Sequence, residues 1–229
     1  MDYMLKKRLI SLIFPTRCPV CGKVIFPHED FCGKCNNELT EYKGGFKISE
    51  AKSFTAPFEY DEKISPAVIL LKRGIKGNAV YALGEALAAA LENHGISQKV
   101  DIIIPVPLYK SDKRERGFNQ AELIAREVGR ILKIDVSTDI VEKIRKTTQQ
   151  KTLSKRERKV NLINAFDVSI PDKIKDKRIL LIDDVCTTGS TLTEIAVLLR
   201  KNGAAEVHCA VCCKTPDIRK EDENYEQSR

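Results

Sequence analysis

Arg178-Ile-Leu-Leu-Ile-Asp-Asp-Val-Cys-Thr-Thr-Gly-Ser-Thr191 is the stretch from which the fold can be read. Ile179 to Ile182 form an unbroken aliphatic run with no polar face, the pattern of a strand covered on both sides in a parallel sheet. Asp183 and Asp184 follow where that run stops. In an open α/β sheet the ligand crevice lies beyond the carboxyl ends of the strands, so two acids there face a site; burying them unpaired in a core would be costly. Thr187-Thr188-Gly189-Ser190-Thr191 then turns into a helix expected over Leu192 to Lys201. Backbone N–H groups, three threonine hydroxyls, a serine hydroxyl and a helix N-terminus make a socket for one phosphate, and Gly189 lets the backbone approach it. A P-loop is excluded, because the Gly-x-x-x-x-Gly-Lys pattern and its lysine are missing. One phosphate socket beside two carboxylates suits a phosphorylated sugar, with Asp183 and Asp184 accepting hydrogen bonds from neighbouring hydroxyls.

Four aliphatics, two acids and Thr-Thr-Gly-x-Thr over Ile179 to Thr191 resemble the phosphoribosyl pyrophosphate (PRPP) motif of type I phosphoribosyltransferases. That resemblance implies an α/β fold, a parallel sheet flanked by helices, with Cys186, Thr187, Thr188, Gly189, Ser190 and Thr191 in the PRPP-binding turn. The side chain of Cys186 itself reads as a small packing residue.

Upstream, Val100 to Val106 reads as a second buried strand, followed by Pro107, a basic loop over Lys110 to Arg116, and a helix opening at Gly117-Phe-Asn-Gln120. Strand, turn and helix N-terminus again face an anion, although solvated arginines at the start of a helix give the same pattern. By the type I resemblance this loop binds pyrophosphate, Val106, Pro107 and Leu108 supplying backbone and Arg114 and Arg116 charge. Pro105-Val-Pro-Leu108, Arg116-Gly-Phe-Asn-Gln120, and Arg145, Thr147, Gln149, Leu153, Arg158 and Asn161 narrow the likeness. They resemble the ComF family, associated with DNA uptake in natural competence, and the likeness runs from Cys18 through Val211. Lys143 to Lys159 is polar and basic without an apolar period. It is expected to be a mobile flap whose Arg145, Lys146, Gln149, Lys151 and Arg158 meet pyrophosphate on closure, or else an ordinary polar surface.

Near the N-terminus, Cys18-Pro-Val-Cys21 and Cys32-Gly-Lys-Cys35 have the spacing of four thiolates on one tetrahedral, structural Zn²⁺. Four thiolates leave no open position for catalysis, and His28 between the knuckles reads as a surface residue. The remaining cysteines are scattered, which argues against a disulfide framework. Cys209 and Cys212, three apart on an expected strand from Glu206 to Cys213, fall on opposite faces and cannot share a metal. The expected division is a helix and zinc element over 1–42, a polar linker at Lys43 to Lys52, a phosphoribosyltransferase-like domain over 53–216, and a disordered tail over 217–229. Within the domain, Phe54 to Tyr60 alternates like an edge strand, and helices are expected over Ile64 to Ile75 and Tyr81 to Asn93. Lys72, Arg73 and Lys76 close the first of these and can face the substrate.

The formal charge is +7, and the segment from Tyr109 to Val160 holds all of it, with 15 Lys/Arg against 8 Asp/Glu. Such a segment suits polyanions, whether pyrophosphate or nucleic acid. No long apolar span or signal-peptide core is present, so a cytoplasmic protein is expected. Two functions follow. One is a transferase moving the phosphoribosyl group from PRPP to an unidentified acceptor, with Asp183, Asp184 and Arg116 at the reacting centre and Mg²⁺ bridging ribose hydroxyls and pyrophosphate. The other is a non-catalytic PRPP sensor, or a module binding single-stranded DNA or DNA-uptake proteins, in which Phe118 could stack a base. A homo-oligomer fits either.

Overall fold

The computed structural model describes residues 14–74, 78–146, 162 and 164–216. Its sheet is built around β6 (Arg178–Cys186), whose Ile179, Leu180, Leu181 and Ile182 are all buried. β3 (Ile102–Pro105) runs parallel along one side, in register from Ile102↔Ile179 to Pro105↔Ile182. β7 (Glu206–Lys214) runs parallel along the other, from Arg178↔Glu206 to Cys186↔Lys214. The outer edge of β7 carries β1 (Ser53–Thr55) and β2 (Phe58–Glu59), also parallel. In place of the one edge strand expected over Phe54 to Tyr60 there are two. Ala56-Pro57 divides them, since Pro57 has no N–H to give the ladder.

Because side chains alternate along a strand, β6 feeds two cores. Leu180 and Ile182, with Ala210 and Cys212, pack against α2 (Ser65–Lys72), α3 (Asn78–Asn93) and α5 (Gln120–Leu132). Ile179 and Leu181, with Val207, Cys209 and Val211, meet α6 (Ser190–Lys201) and an antiparallel ribbon of β4 (Val141–Lys143) and β5 (Phe166–Val168). Cys209 and Cys212 thus lie on opposite faces. Lys110 to Arg116, expected as a loop, is a seven-residue helix, α4. Its sequence has no β-branched residue, Gly or Pro to resist a helix, and Gly117 ends it at φ 76°.

The cysteine-bearing segment is docked on the first core. Cys18, Cys32 and Cys35, the last in the short helix α1 (Gly33–Glu38), are buried there, and Phe31 meets Phe58 edge-on at 5.8 Å. The Asn78 side chain donates to the Asp30 carbonyl at 2.9 Å, and Thr40 Oγ1 donates to Asp61 Oδ2 at 2.8 Å. Among the described residues no helix is long and apolar enough to cross a membrane. The expected N-terminal helix and the tail over 217–229 fall outside the described residues.

Candidate functional site

The aliphatic run ends at Ile182, but β6 does not. Pairing with β7 continues to Cys186↔Lys214, whereas pairing with β3 stops at Pro105↔Ile182. Asp183 and Asp184 therefore sit on a strand held from one side and uncovered on the other, and this opens the crevice.

The two acids are neighbours whose carboxyl groups interact with each other. Asp184 meets Lys72 Nζ, from the last turn of α2, at 3.4 Å. Burial pushes the Asp183 carboxyl well above its ordinary range, and the Asp184 carboxylate adds to this, while the Asp184 N–H and the Lys72 charge oppose it. Each acid also accepts from the next backbone N–H, Asp184 N to Asp183 Oδ1 at 2.8 Å and Val185 N to Asp184 Oδ1 at 2.7 Å. Lys143, in β4, faces the same crevice. Burial lowers its pKa, and the charges of Asp112 and Asp183 hold it up. A buried carboxyl beside a second carboxylate is an arrangement that can hold a cation or accept from hydroxyl donors.

Next comes the turn. Gly189 is buried at φ 74°, in the N-cap position of α6, and no side chain caps that helix. The N–H groups of its first turn carry the positive end of the helix dipole. Thr188 Oγ1 and Ser190 Oγ lie 2.8 Å apart, and Thr187 is exposed. Cys186 points into the second core, and its carbonyl accepts from Thr215 N at 3.0 Å.

Two features of this turn go beyond what the sequence led one to expect. The supposed polar linker lays Phe46 and Ile48 against it: a Cβ placed on Gly189 would stand 2.5 Å from Ile48 Cδ1 and 2.9 Å from Phe46 Cζ. Lys214, at the end of β7, is buried with its Nζ 4.4 Å from the centre of the Phe46 ring, and donates to the Thr215 carbonyl at 2.5 Å. The sequence signal is slight, two apolar residues in a polar stretch and one lysine beyond a run of cysteines.

On the β3 side, Val106 N donates to the Ile182 carbonyl at 2.8 Å, and the Val106 carbonyl accepts from Asn119 Nδ2 at 2.9 Å. Pro107 has no N–H, so the donor this turn can offer an anion is that of Leu108. Asn119 also caps α5, accepting from Ala121 N at 3.1 Å. Pro105, Pro107, Leu108, Asn119 and Lys143 line a cavity of about 170 Å³. The ribbon is rooted here, because Tyr109 bridges Lys143. Arg114 and Arg116 are exposed in the last turn of α4, and Arg145 and Lys146 are exposed just past β4. Gln149, Lys151, Arg158 and Lys76 lie outside the described residues. Phe118 is half-buried with its ring against Gly74, where a Cβ would come within 2.1 Å of Cε1, so it braces the Arg73-Gly74 turn.

The four cysteines form a second centre. Sγ atoms of Cys18, Cys21, Cys32 and Cys35 all lie within 4.8 Å of one another, with Cys21 and Cys32 at 3.6 Å. A tetrahedral zinc with bonds of about 2.3 Å needs sulfurs about 3.8 Å apart, so the quartet fits the ion. The Cys35 backbone N–H beside Cys32 lowers that thiol to about 7, favouring a thiolate, while burial raises Cys35. His28 is exposed and stacks on Phe26 at 5.7 Å, away from any ligand role.

With this geometry in view, comparison with known proteins is specific. Residues 76–228 match the phosphoribosyl transferase domain, and residues 9–46 match the double zinc ribbon domain. Competence protein F of Haemophilus influenzae is 35% identical over 83% of this chain and 86% of its own. The DNA utilization protein YhgH of Escherichia coli is 33% identical over 87% and 85%. Among solved structures, a purine phosphoribosyltransferase from Pyrococcus horikoshii aligns over 60% of this chain and 74% of its own, at 26% identity and a TM-score of 0.38.

Proposed function

The chain belongs to the phosphoribosyl transferase domain family, in its ComF branch with a zinc ribbon, and from that premise we propose that it binds PRPP and transfers the phosphoribosyl group to an acceptor, releasing pyrophosphate. The observation that carries this reading is the juxtaposition on β6 of twin acids, a buried left-handed Gly189 and the uncapped N-terminus of α6.

In this reading Thr187 to Thr191 hold the 5-phosphate through backbone N–H groups and hydroxyls. Asp183 and Asp184 accept hydrogen bonds from the ribose hydroxyls and orient the ring. The same two carboxylates, crowded and opposed by one lysine, suit a Mg²⁺ ion arriving with PRPP, which supplies charge neutralisation at the pyrophosphate. As the bond from C1 to pyrophosphate breaks and that to the acceptor's nucleophile forms, negative charge grows on the leaving group. Arg114, Arg116, Arg145, Lys72 and Lys143 are the cations assigned to it in this reading, and Lys151, also expected there, lies outside the described residues. The zinc ribbon over 1–42 is structural, and 53–216 forms the catalytic unit.

A second reading, a PRPP sensor that handles single-stranded DNA, draws on the zinc ribbon, where Phe26 is 67% exposed and stacked on His28. One experiment separates the two: incubate the protein with Mg²⁺ and PRPP, and follow pyrophosphate release across a panel of nitrogenous bases and amines. Release dependent on one acceptor supports transfer. PRPP binding without turnover supports the sensor, and DNA affinity insensitive to salt would count against phosphate contacts.

A further inference from the structure

Residues 42–48 join the zinc ribbon to the sheet, and they do not run free over the surface. Tyr42 N donates to the Pro57 carbonyl at 3.1 Å, Tyr42 Oη accepts from Phe46 N at 2.9 Å, and Lys52 N donates to the Val207 carbonyl at 2.7 Å. Tyr42 and Phe46 both meet Phe54 edge-on, at 6.0 and 5.1 Å. Between these anchors Ile48 is buried and Phe46 half-buried, and both close on Gly189 so tightly that no Cβ fits there. Just N-terminal to this segment, Glu41 bridges Phe58, and Thr40 bonds Asp61. The zinc ribbon is therefore continuous, through one short strap, with the turn that receives the phosphate.

We propose that this strap is a clamp, in which Phe46 and Ile48 are positioning residues that hold the Gly189 turn in its ligand-ready conformation and couple zinc retention to ligand binding. The inference rests on the PRPP reading above. The physical argument is one of linkage. Fixing a left-handed backbone at the head of a helix costs conformational entropy, and packing Phe46 and Ile48 on it meets that cost before ligand arrives. The strap is in turn ordered by the ribbon, whose folding depends on zinc. Whatever the zinc does for the affinity of the turn, ligand at the turn does for the zinc by the same factor.

The test uses the full zinc-loaded chain and reads zinc, not activity. Zinc affinity is measured at equilibrium, by competition with a colorimetric chelator, with and without saturating Mg²⁺ and PRPP, after calorimetry has established PRPP binding. Couplings of this kind are typically about 5- to 150-fold, so PRPP should tighten zinc binding about fivefold or more. Phe46→Ala should abolish the tightening and weaken PRPP binding, and Phe46→Tyr, which keeps the ring, should restore both. PRPP that binds the wild-type chain but leaves zinc affinity unchanged would overturn the clamp alone, without needing any variant. Tightening that survives in Phe46→Ala would overturn it too. A wild-type chain that does not bind PRPP would overturn the proposed function and the clamp with it.

Discussion

Substituting Gly189 by alanine tests the turn at its tightest point. At φ 74° an L-residue is strained, and its methyl would stand 2.5 Å from Ile48 Cδ1. The left-handed backbone costs about 1–2 kcal/mol, forcing a methyl into a packed contact about 1–3 kcal/mol more, and the stiffer unfolded chain offsets about 0.4–1 kcal/mol. Gly189→Ala should therefore lose about 1–5 kcal/mol in urea denaturation, with Tm falling about 2–4 °C for each kcal/mol. Ile48→Ala in the same background should relieve the steric part while leaving the backbone strain, so a double-mutant cycle should show favourable coupling of about 1–3 kcal/mol. A Gly189→Ala protein within about 0.5 kcal/mol of wild type, or a cycle with no coupling, would refute the reasoning.

Asp184→Asn removes a partner of Lys72 whose own side chain is 44% exposed, so folding stability should change by less than about 1 kcal/mol. PRPP affinity should nevertheless fall about tenfold or more by calorimetry, because hydrogen bonds to a charged acceptor are weakened. The same variant should bring the raised Asp183 pKa down, which carboxyl NMR would detect. His208 is buried between Ser53 Oγ at 2.7 Å and Glu206 Oε2 at 3.3 Å, and burial holds its pKa below 6.5. The unfolded chain then takes up the proton first, so stability should decline as pH falls from about 6.5 toward the folded pKa, and His208→Gln should flatten that slope. Glu206, lowered chiefly by its hydrogen bond with Lys52, adds an acid loss only below 4.5, a separate window. Stripping zinc with a chelator should release one ion per chain, lower Tm and free Phe31 from the edge of the Phe58 ring. An unchanged melt after complete removal would contradict a structural metal.

Much of this site is legible in the sequence because it is local. The aliphatic run of β6, the acids after it and the small-residue turn lie within fourteen consecutive residues, and each is forced by backbone geometry or charge. The period of two also places Cys209 and Cys212 on opposite faces. What escapes is what depends on distant neighbours. The length of β6 beyond Ile182 follows from continued pairing with β7, and the pairing of Asp184 with Lys72 spans more than a hundred residues of chain. Phe46 and Ile48 read as linker because the residue they pack on, Gly189, lies far away in sequence. Charge density hides α4, since Lys110 to Arg116 reads as solvated loop until its helix-forming residues are weighed without regard to charge. β4 and β5 flank the segment expected to be a flap, and the expected roles of Gln149, Lys151 and Arg158 fall outside the described residues.

The most direct measurement is a structure of the zinc-loaded chain with Mg²⁺ and PRPP. The 5-phosphate is expected on the backbone N–H groups of Thr188 to Thr191, with ribose hydroxyls on Asp183 and Asp184 and Lys72 drawn from Asp184 toward the pyrophosphate. A complex in which the turn stays empty and Lys72 remains on Asp184, with the ligand bound elsewhere, would contradict the account.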